Sequence, residues 1–393
     1  MRGARVIVVG GSLGGLTAAC VLRDAGHDVT VHERSPDPLE QRGAGIGLLA
    51  ATSRYLVERA GIDLDDMSIA TDFIRHLDRG GAVLHETAHG YRFTSWNAVY
   101  RILSDCWGGD RYVPGSELVD FAQDGDGVVV RFADGSSEPA DLLVCADGIG
   151  STARAKLQPE ARTRYAGYVA WRGLVPERDL PARTIAALAD AITYHVGAAS
   201  HLLAYPIPGP DGGVHPGDRR LNFVWYRNRA AGDELDDLLL DADGVQREFS
   251  VPPGKLAARH DAEARASAAD RLPDLLAGLV AHAPQLFLQV IADMEVERMA
   301  FGRVCLLGDA AFVARPHAAA GTAKAAADAW ALADALARAD DVASALAAWE
   351  PGQLQLGRQL VERTRRIGDR FQVDDSWTPG DPDLFFGLYR PGD

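Results

Sequence analysis

Arg5-Val-Ile-Val-Val-Gly10-Gly11-Ser12-Leu13-Gly14-Gly15-Leu16 is the stretch on which the fold turns. A β-branched apolar run ending in glycine has no polar face to leave in water, so Arg5 to Val9 reads as a strand buried on both faces of a parallel sheet. After it, Leu16, Ala19, Cys20 and Leu22 recur at helical spacing, and Gly26 suits the left-handed residue that stops a helix. Asp28-Val-Thr-Val-His-Glu33 then reads as a second strand. Together they make a βαβ-type start whose glycine turn lies at the carboxyl end of the first strand, the edge at which such sheets bind ligands.

Between that strand and helix, missing side chains let backbone N–H groups and the positive helix end approach a pyrophosphate. In the G-x-G-x-x-G register Gly10 and Gly15 fit, while Ser12 stands where the middle glycine would allow close diphosphate approach. Glu33 ends the second strand close to the ~20-residue spacing of an acid that binds ribose hydroxyls. Two further segments run from strand to turn. Asp141-Leu-Leu-Val-Cys-Ala-Asp147-Gly148-Ile-Gly150-Ser151-Thr-Ala-Arg154 carries an acid at its turn and an arginine beyond it. In Val304-Cys-Leu-Leu-Gly308-Asp309 glycine lets the chain leave a buried strand, and the carboxylate can accept hydrogen bonds from a polyol.

The chain around these segments has 393 residues, length for two or three domains of ~100–200 residues each. Apolar residues at 47% and charged residues at 24% are those of a folded globular protein. A net charge of −15 argues against nucleic acid and anionic membrane surfaces as partners. Cys20, Cys106, Cys145 and Cys305 lie too far apart for a zinc site or redox pair and read as reduced thiols, and no metal site is expected. The apolar run Val6 to Val9 ends too soon for a signal peptide, and Lys324, Asp328, Asp334 and Arg338 interrupt the alanine-rich stretch from Ala318 to Ala339. A cytoplasmic chain without a membrane span is expected.

Alternating patterns between Asp72 and Leu84, and from Tyr165 to Tyr226, predict strands with one solvated face in a second, mixed sheet. Prolines and glycines from Pro206 to Gly213 mark a loop within it. Leu272 to Leu288 reads as helix, Val304 to Leu307 as a buried strand, and Gly321 to about Arg366 as largely helical. The last twenty residues read as an irregular tail anchored by Phe385, Phe386 and Tyr389. The expected division is residues 1–71, 95–165 and 290–340 in one domain, 72–94 and 166–289 in a second, and 341–393 as a C-terminal helix and tail.

The order of the three strand-to-turn segments resembles the single-component, group A FAD-dependent aromatic hydroxylases over most of the chain. So do Arg92-Phe-Thr-Ser95, Tyr168-Val-Ala-Trp171-Arg172-Gly173, His201-Leu-Leu-Ala-Tyr-Pro-Ile-Pro-Gly209 and Arg315-Pro-His-Ala-Ala-Ala-Gly321. The resemblance implies an α/β fold, with a Rossmann-like FAD-binding domain, a mixed-sheet substrate domain and C-terminal helices, like that of para-hydroxybenzoate hydroxylase. It places Gly10, Ser12, Leu13 and Gly15 on the FAD diphosphate, Glu33 and Arg34 at the adenosine ribose, and Arg101 near the flavin's phosphate side. Asp147 and Gly148 fall in a motif associated with FAD and the pyridine nucleotide, Asp309 falls on the ribityl chain, and Arg154 is structural support. Pro316 to Gly321, with Ala319 and Ala320, matches the turn that sets a helix N-terminus at the flavin pyrimidine ring. There Ala319-Ala320 replaces a common Gly-Gln, Ala323 an asparagine and Phe312 a histidine, which leaves flavin contact mainly to backbone N–H groups.

One dinucleotide fingerprint implies that FAD is resident and that NADH or NADPH visits. The family's reaction uses reduced FAD and O2 to form a flavin C4a-hydroperoxide that attacks an electron-rich ring, so a small aromatic substrate and water exclusion are implied. A group that deprotonates a ring hydroxyl would help. His317 is the first candidate, with His201 and Tyr205 next, and each is equally readable as a packed polar residue. Asn222, Trp225 and Tyr226 alternate toward a pocket, Trp225 being better read as core. The family also implies a homodimer. The halogenase signature Trp-x-Trp-x-x-Pro is absent and a second glycine fingerprint is missing, whereas a non-catalytic FAD-fold binding protein, or a flavin oxidoreductase of another reaction type, remains the alternative.

Overall fold

The computed structural model describes residues 3–40 and 44–393. Arg5–Val9 is a central strand of a six-stranded sheet, between Leu142–Cys145 and Asp28–Glu33, and both pairings are parallel. Val304–Leu306 joins beyond Leu142–Cys145, also in parallel. Thus the carboxyl ends of three strands, all buried β-branched or leucine-rich runs, deliver the three turns to one edge. The helix Leu13–Asp24 covers one face and stops at Gly26, whose φ of +92° is the left-handed conformation expected of it.

The second sheet is mixed, as expected. Its main path runs Ser250–Val251, Phe287–Glu295, Arg164–Pro176, Arg220–Asn228, Ser200–Ile207, Ala191–Gly197, Phe73–Leu77 and Val83–Ala88. Every pairing on this path is antiparallel except Ala191–Gly197 with Phe73–Leu77. The expectation of one solvated face fails for its central strands. Ser200–Ile207 is buried along its whole length. Val169, Trp171, Val175, Leu202, Phe223 and Trp225 pack on one side with the helices Ala258–Arg271 and Asp274–His282. Tyr168, Ala170, Leu203, Tyr205, Val224 and Tyr226 pack on the other with the C-terminal segments. Alternation in such a strand sorts residues between two interiors, and it reads like alternation between core and water when one interior holds His201, Tyr205 and Asn222. Each large apolar side chain so buried stabilises the sheet by roughly 1.5–3 kcal/mol.

The helix expected from Leu272 to Leu288 is only Asp274–His282. Pro284 cannot continue it, and Phe287 and Leu288 open the next strand. The preceding helix Ala258–Arg271 shows little apolar periodicity because alanines and His260 supply its buried stripe.

Gly321–Arg338 and Val342–Gln372 are the C-terminal helices, the second running past the expected Arg366. The tail has only a short 3-10 turn, Pro382–Leu384, and Phe386 and Leu388 are buried in it. Tyr389 is 65% exposed and is no anchor; Leu388 takes that place. Among the described residues no helix is long and apolar enough to cross a membrane.

Candidate active site

The three turns meet. Gly10 has φ +102°, and a Cβ there would lie 2.2 Å from the Ala146 carbonyl oxygen, so only glycine lets the first turn rest on the second. Glu33 is buried and accepts hydrogen bonds from the Gly11 and Ser35 amides, each at 2.8 Å, fixing the glycine turn. Asp147 accepts from the Ala153 amide at 3.2 Å, while its other oxygen is buried without a partner among the described residues. Burial raises its pKa. Arg154 ties the second turn to the third by donating to the carbonyls of Gly148, Ile149, Asp309 and Ala310. The third turn is held from behind, where Asp328 accepts from the Gly308 amide at 3.0 Å and from buried Lys324 at 2.6 Å.

Two cavities open along this edge. One, of ≈ 240 Å³, is lined by Gly10, Ser12, Glu33, Arg34, Asp147 and Gly148 among others. The other, of ≈ 220 Å³, lies between the Pro316–Gly321 turn and the second sheet. Asp309, Pro316, Ala319, Ala320 and Gly321 line it with His201, Tyr205 and His317. Leu13 and Gly15 are buried in the first helical turn, and Arg101 lies outside both linings, paired with Glu40 at 3.3 Å. A larger groove of ≈ 730 Å³ near Arg54 and Trp330 contains none of the three turns.

Each small cavity falls short of the ~300–1,000 Å³ of an ordinary ligand pocket. An elongated nucleotide cofactor reaching from one to the other fits the chemistry of both. The Ser12 side chain does not cap the helix Leu13–Asp24, and the Ala320 methyl has no acceptor to cap Gly321–Arg338. Both helix starts therefore keep donors for an anion or a ring carbonyl. The unpartnered oxygen of Asp147 needs a donor from the same ligand or its waters.

The second cavity has mostly apolar and aromatic walls. His317 is buried, its Nε2 is 2.7 Å from the Tyr168 hydroxyl, and burial with the nearby Arg315 pushes its pKa down to about 3. His201 is also buried, its Nδ1 accepts from the Gln372 amide at 2.6 Å, and burial holds it well below the usual histidine range. Both rings are neutral at neutral pH and are weak proton acceptors. Tyr205 donates to the Gly45 carbonyl at 2.9 Å, and burial pushes its pKa up to about 12. The expected pocket side of Arg220–Asn228 divides. Tyr226 lines the cavity, Asn222 accepts from the Gly45 amide at 3.0 Å, and Trp225 faces the opposite core, donating to Ser200 at 2.8 Å.

Phe386, expected only as a tail anchor, lines this cavity. Sequence reasoning left Arg172, Tyr168, Gln289, Gln372 and Phe371 without a role, and each lines this cavity or bonds to a residue that does. The motif around Tyr168 and Arg172 was the only signal for any of them. Leu384 and Phe386 bring the tail onto the cavity, and the Gly387 amide donates to Ala318 at 3.1 Å.

The FAD binding domain family matches residues 3–205 and 259–364, and a FAD binding domain-like family matches residues 165–293. The chain belongs to the FAD binding domain family. It is 40% identical over 385 residues to 2,6-dihydroxypyridine 3-monooxygenase of Paenarthrobacter nicotinovorans, a match covering 98% of this chain and 96% of the relative. The solved structure of 2,6-dihydroxypyridine-3-hydroxylase from Arthrobacter nicotinovorans superposes with a TM-score of 0.94 at 38% identity, covering 99% and 98% of the two chains. Klebsiella pneumoniae HpxO complexed with FAD and uric acid aligns at 25% identity with a TM-score of 0.76, covering 95% of this chain and 90% of the other. This family member is an enzyme, a flavoprotein monooxygenase of the aromatic hydroxylase type that uses FAD, NAD(P)H and O2.

Proposed function

We propose that this monooxygenase hydroxylates an electron-rich aromatic or N-heteroaromatic ring, hydroxypyridine-like or phenolic, in the cavity between the second sheet and the Pro316–Gly321 turn. The observation that carries this reading is the cavity itself: aromatic walls that also carry neutral hydrogen-bonding groups and one arginine, and an uncapped helix start at one end. Identity of 40% to an enzyme named for dihydroxypyridine supports the substrate class. Bound FAD, once reduced by NADH or NADPH, supplies the activated oxygen.

The chain's own residues bind, orient and keep the site dry. Gly10, Ser12, Leu13 and Gly15 offer backbone donors to the diphosphate, with Glu33 and Arg34 at the adenosine ribose. Asp147 and Gly148 would follow, and Asp309 would accept from the ribityl hydroxyls. The backbone of Pro316, Ala319, Ala320 and Gly321 would hold the ring edge, where the helix start favours negative charge. Arg101 serves at the outer rim beside Glu40. His317, His201 and Tyr205 position the substrate through neutral hydrogen bonds, while Phe371 and Phe386 exclude water. Residues 1–71, 95–165 and 290–340 form the FAD-binding domain, 72–94 and 166–289 the substrate domain, and 341–393 the closing segment. The enzyme works as a cytoplasmic homodimer.

Aerobic NAD(P)H oxidation by the FAD-loaded protein, with hydroxypyridines, hydroxyquinolines and phenols in turn, tests the reading. Oxidation should accelerate with one of these classes and yield a product heavier by one oxygen atom in the mass spectrum. Peroxide release without such a product across all three classes would reject it.

A further inference from the structure

We propose that Arg172 binds the ionised oxygen of the substrate, so that the cavity selects a ring bearing an acidic hydroxyl and takes it as its anion. This rests on the substrate reading above and names the residue and the charge state it requires.

Among the described residues lining the cavity only Arg172 and Asp309 carry formal charge, and Asp309 belongs to the third turn at the cofactor side. Two other arginines of the fold show why it is exceptional. Arg315, two residues before His317, is paired with Asp293 at 2.9 Å and Asp369 at 2.8 Å. Arg75 is paired with Glu86 and Asp190. Arg172 has no carboxylate partner among the described residues. It donates to the Gln289 side chain at 2.8 Å and the Gly45 carbonyl at 3.0 Å, both neutral, and its Nε is buried with no partner.

A guanidinium has five N–H donors and does not shed its charge in a protein, so a half-buried one without a counterion favours an anion beside it. Strand alternation puts Arg172 on the same face as Tyr168 and Ala170, the face that forms the cavity. Two polar neighbours fix its direction. Gln289 holds one Nη, and the Gly45 carbonyl, which also accepts from Tyr205, holds the other.

An opposite charge within ~4–6 Å lowers the pKa of a hydroxyl by about 1–3 units. Facing the bound oxygen are Tyr205 and Tyr226, both kept protonated by burial, the amide of Gln289, and across the cavity His201, His317 and Asp309. Neither histidine is a strong enough base to take the proton at neutral pH. Arg172 makes such a base unnecessary, because the proton leaves to bulk water as the ring enters. The ionised ring is the more nucleophilic one, so the residue that selects the substrate also prepares it.

Equilibrium titration of the FAD-loaded protein with 4-nitrophenol, whose anion is coloured, tests this without turnover. Nitrobenzene serves as the neutral probe of the same shape. Bound 4-nitrophenol should ionise at least one pH unit lower than free 4-nitrophenol. Arg172→Met should weaken nitrophenolate binding at least tenfold while leaving FAD content and nitrobenzene affinity unchanged, and Arg172→Lys should retain part of the pH shift. If Arg172→Met does not fold, the wild-type ionisation shift and the Arg172→Lys profile decide alone. An unshifted ionisation, equal affinity for both probes, no binding of either, or an Arg172→Met profile like wild type each overturns the proposal. Hydroxylation assays are separate, so an enzyme that binds the anion yet hydroxylates no ring would refute the substrate reading and leave the charge selection standing.

Discussion

The two small cavities along the sheet edge are built in opposite ways. The proposed nucleotide end is assembled largely from short turns that follow buried strands, the Gly10 turn and the Asp147 turn, with Glu33 and Arg34 at the end of the second strand. The substrate end is assembled from side chains on separate strands, the Pro316 turn, the long helix and the tail, which meet only when the chain is folded. The first kind of site tolerates little change in the chain's path and much change in side chains; the second does the reverse.

Gly15→Ala gives the largest expected effect, because a Cβ there would lie 1.8 Å from the Gly10 carbonyl oxygen and only backbone movement could relieve it. A loss of about 3 kcal/mol or more is expected, with little FAD retained; urea unfolding and flavin absorbance read both. A variant as stable and as yellow as wild type would break the contrast between the cavities.

Asp309→Ala comes next. The Asp309 carboxylate is exposed and makes no side-chain hydrogen bond among the described residues, so stability should hold while FAD affinity falls roughly tenfold, the scale of one hydrogen bond to a charged group. Fluorescence titration of the apoprotein measures it, and unchanged affinity removes Asp309 from the cofactor site.

His317→Ala should slow hydroxylation and leave FAD content intact. Because the ring is already neutral above about pH 3, its removal should not move the rate profile between pH 5 and 8. Stability follows the opposite rule. Below an unfolded pKa of ~6.5 the unfolded chain takes up protons that buried His317 and His201 refuse, so wild-type stability falls as pH drops from about 6.5 toward 3. Each histidine contributes up to about 1.4 kcal/mol per pH unit in that window. Unfolding of wild type and variant across it should show a shallower acid slope in the variant; identical slopes would mean that the ring is not buried neutral.

Ala319→Gly gives the smallest effect, a gain. Ala319 has φ +52°, a left-handed conformation that costs a residue with a Cβ about 1 kcal/mol. Glycine should stabilise the fold by less than that, because the Ala319 methyl packs close to Gly47 and its loss offsets part of the gain, and a small rise in the unfolding midpoint would read it.

How far these features could be read in advance follows from their range along the chain. The strand–turn–helix opening, Glu33, the Asp147 and Asp309 turns and the long C-terminal helices were legible because each signal is complete within a dozen or so residues. The buried second face of the sheet was not, since polar residues facing a cavity and polar residues facing water give the same period. Nor was Tyr389 separable from Leu388 as the tail anchor, because both are apolar and only packing on the Pro316 turn chooses between them. His317 stood out as a titratable residue, yet its pairing with Tyr168 and its neutral state arise from burial between elements distant in sequence.

Local chain chemistry alone thus set the glycine turn, the acid after the second strand and the resemblance to FAD enzymes, because backbone geometry answers to nearest neighbours. The uncompensated charge of Arg172, the neutral histidines and the tail lying on the cavity were decided only by tertiary packing. Electrostatic state depends on which groups are excluded from water together, and no stretch of sequence contains that information by itself.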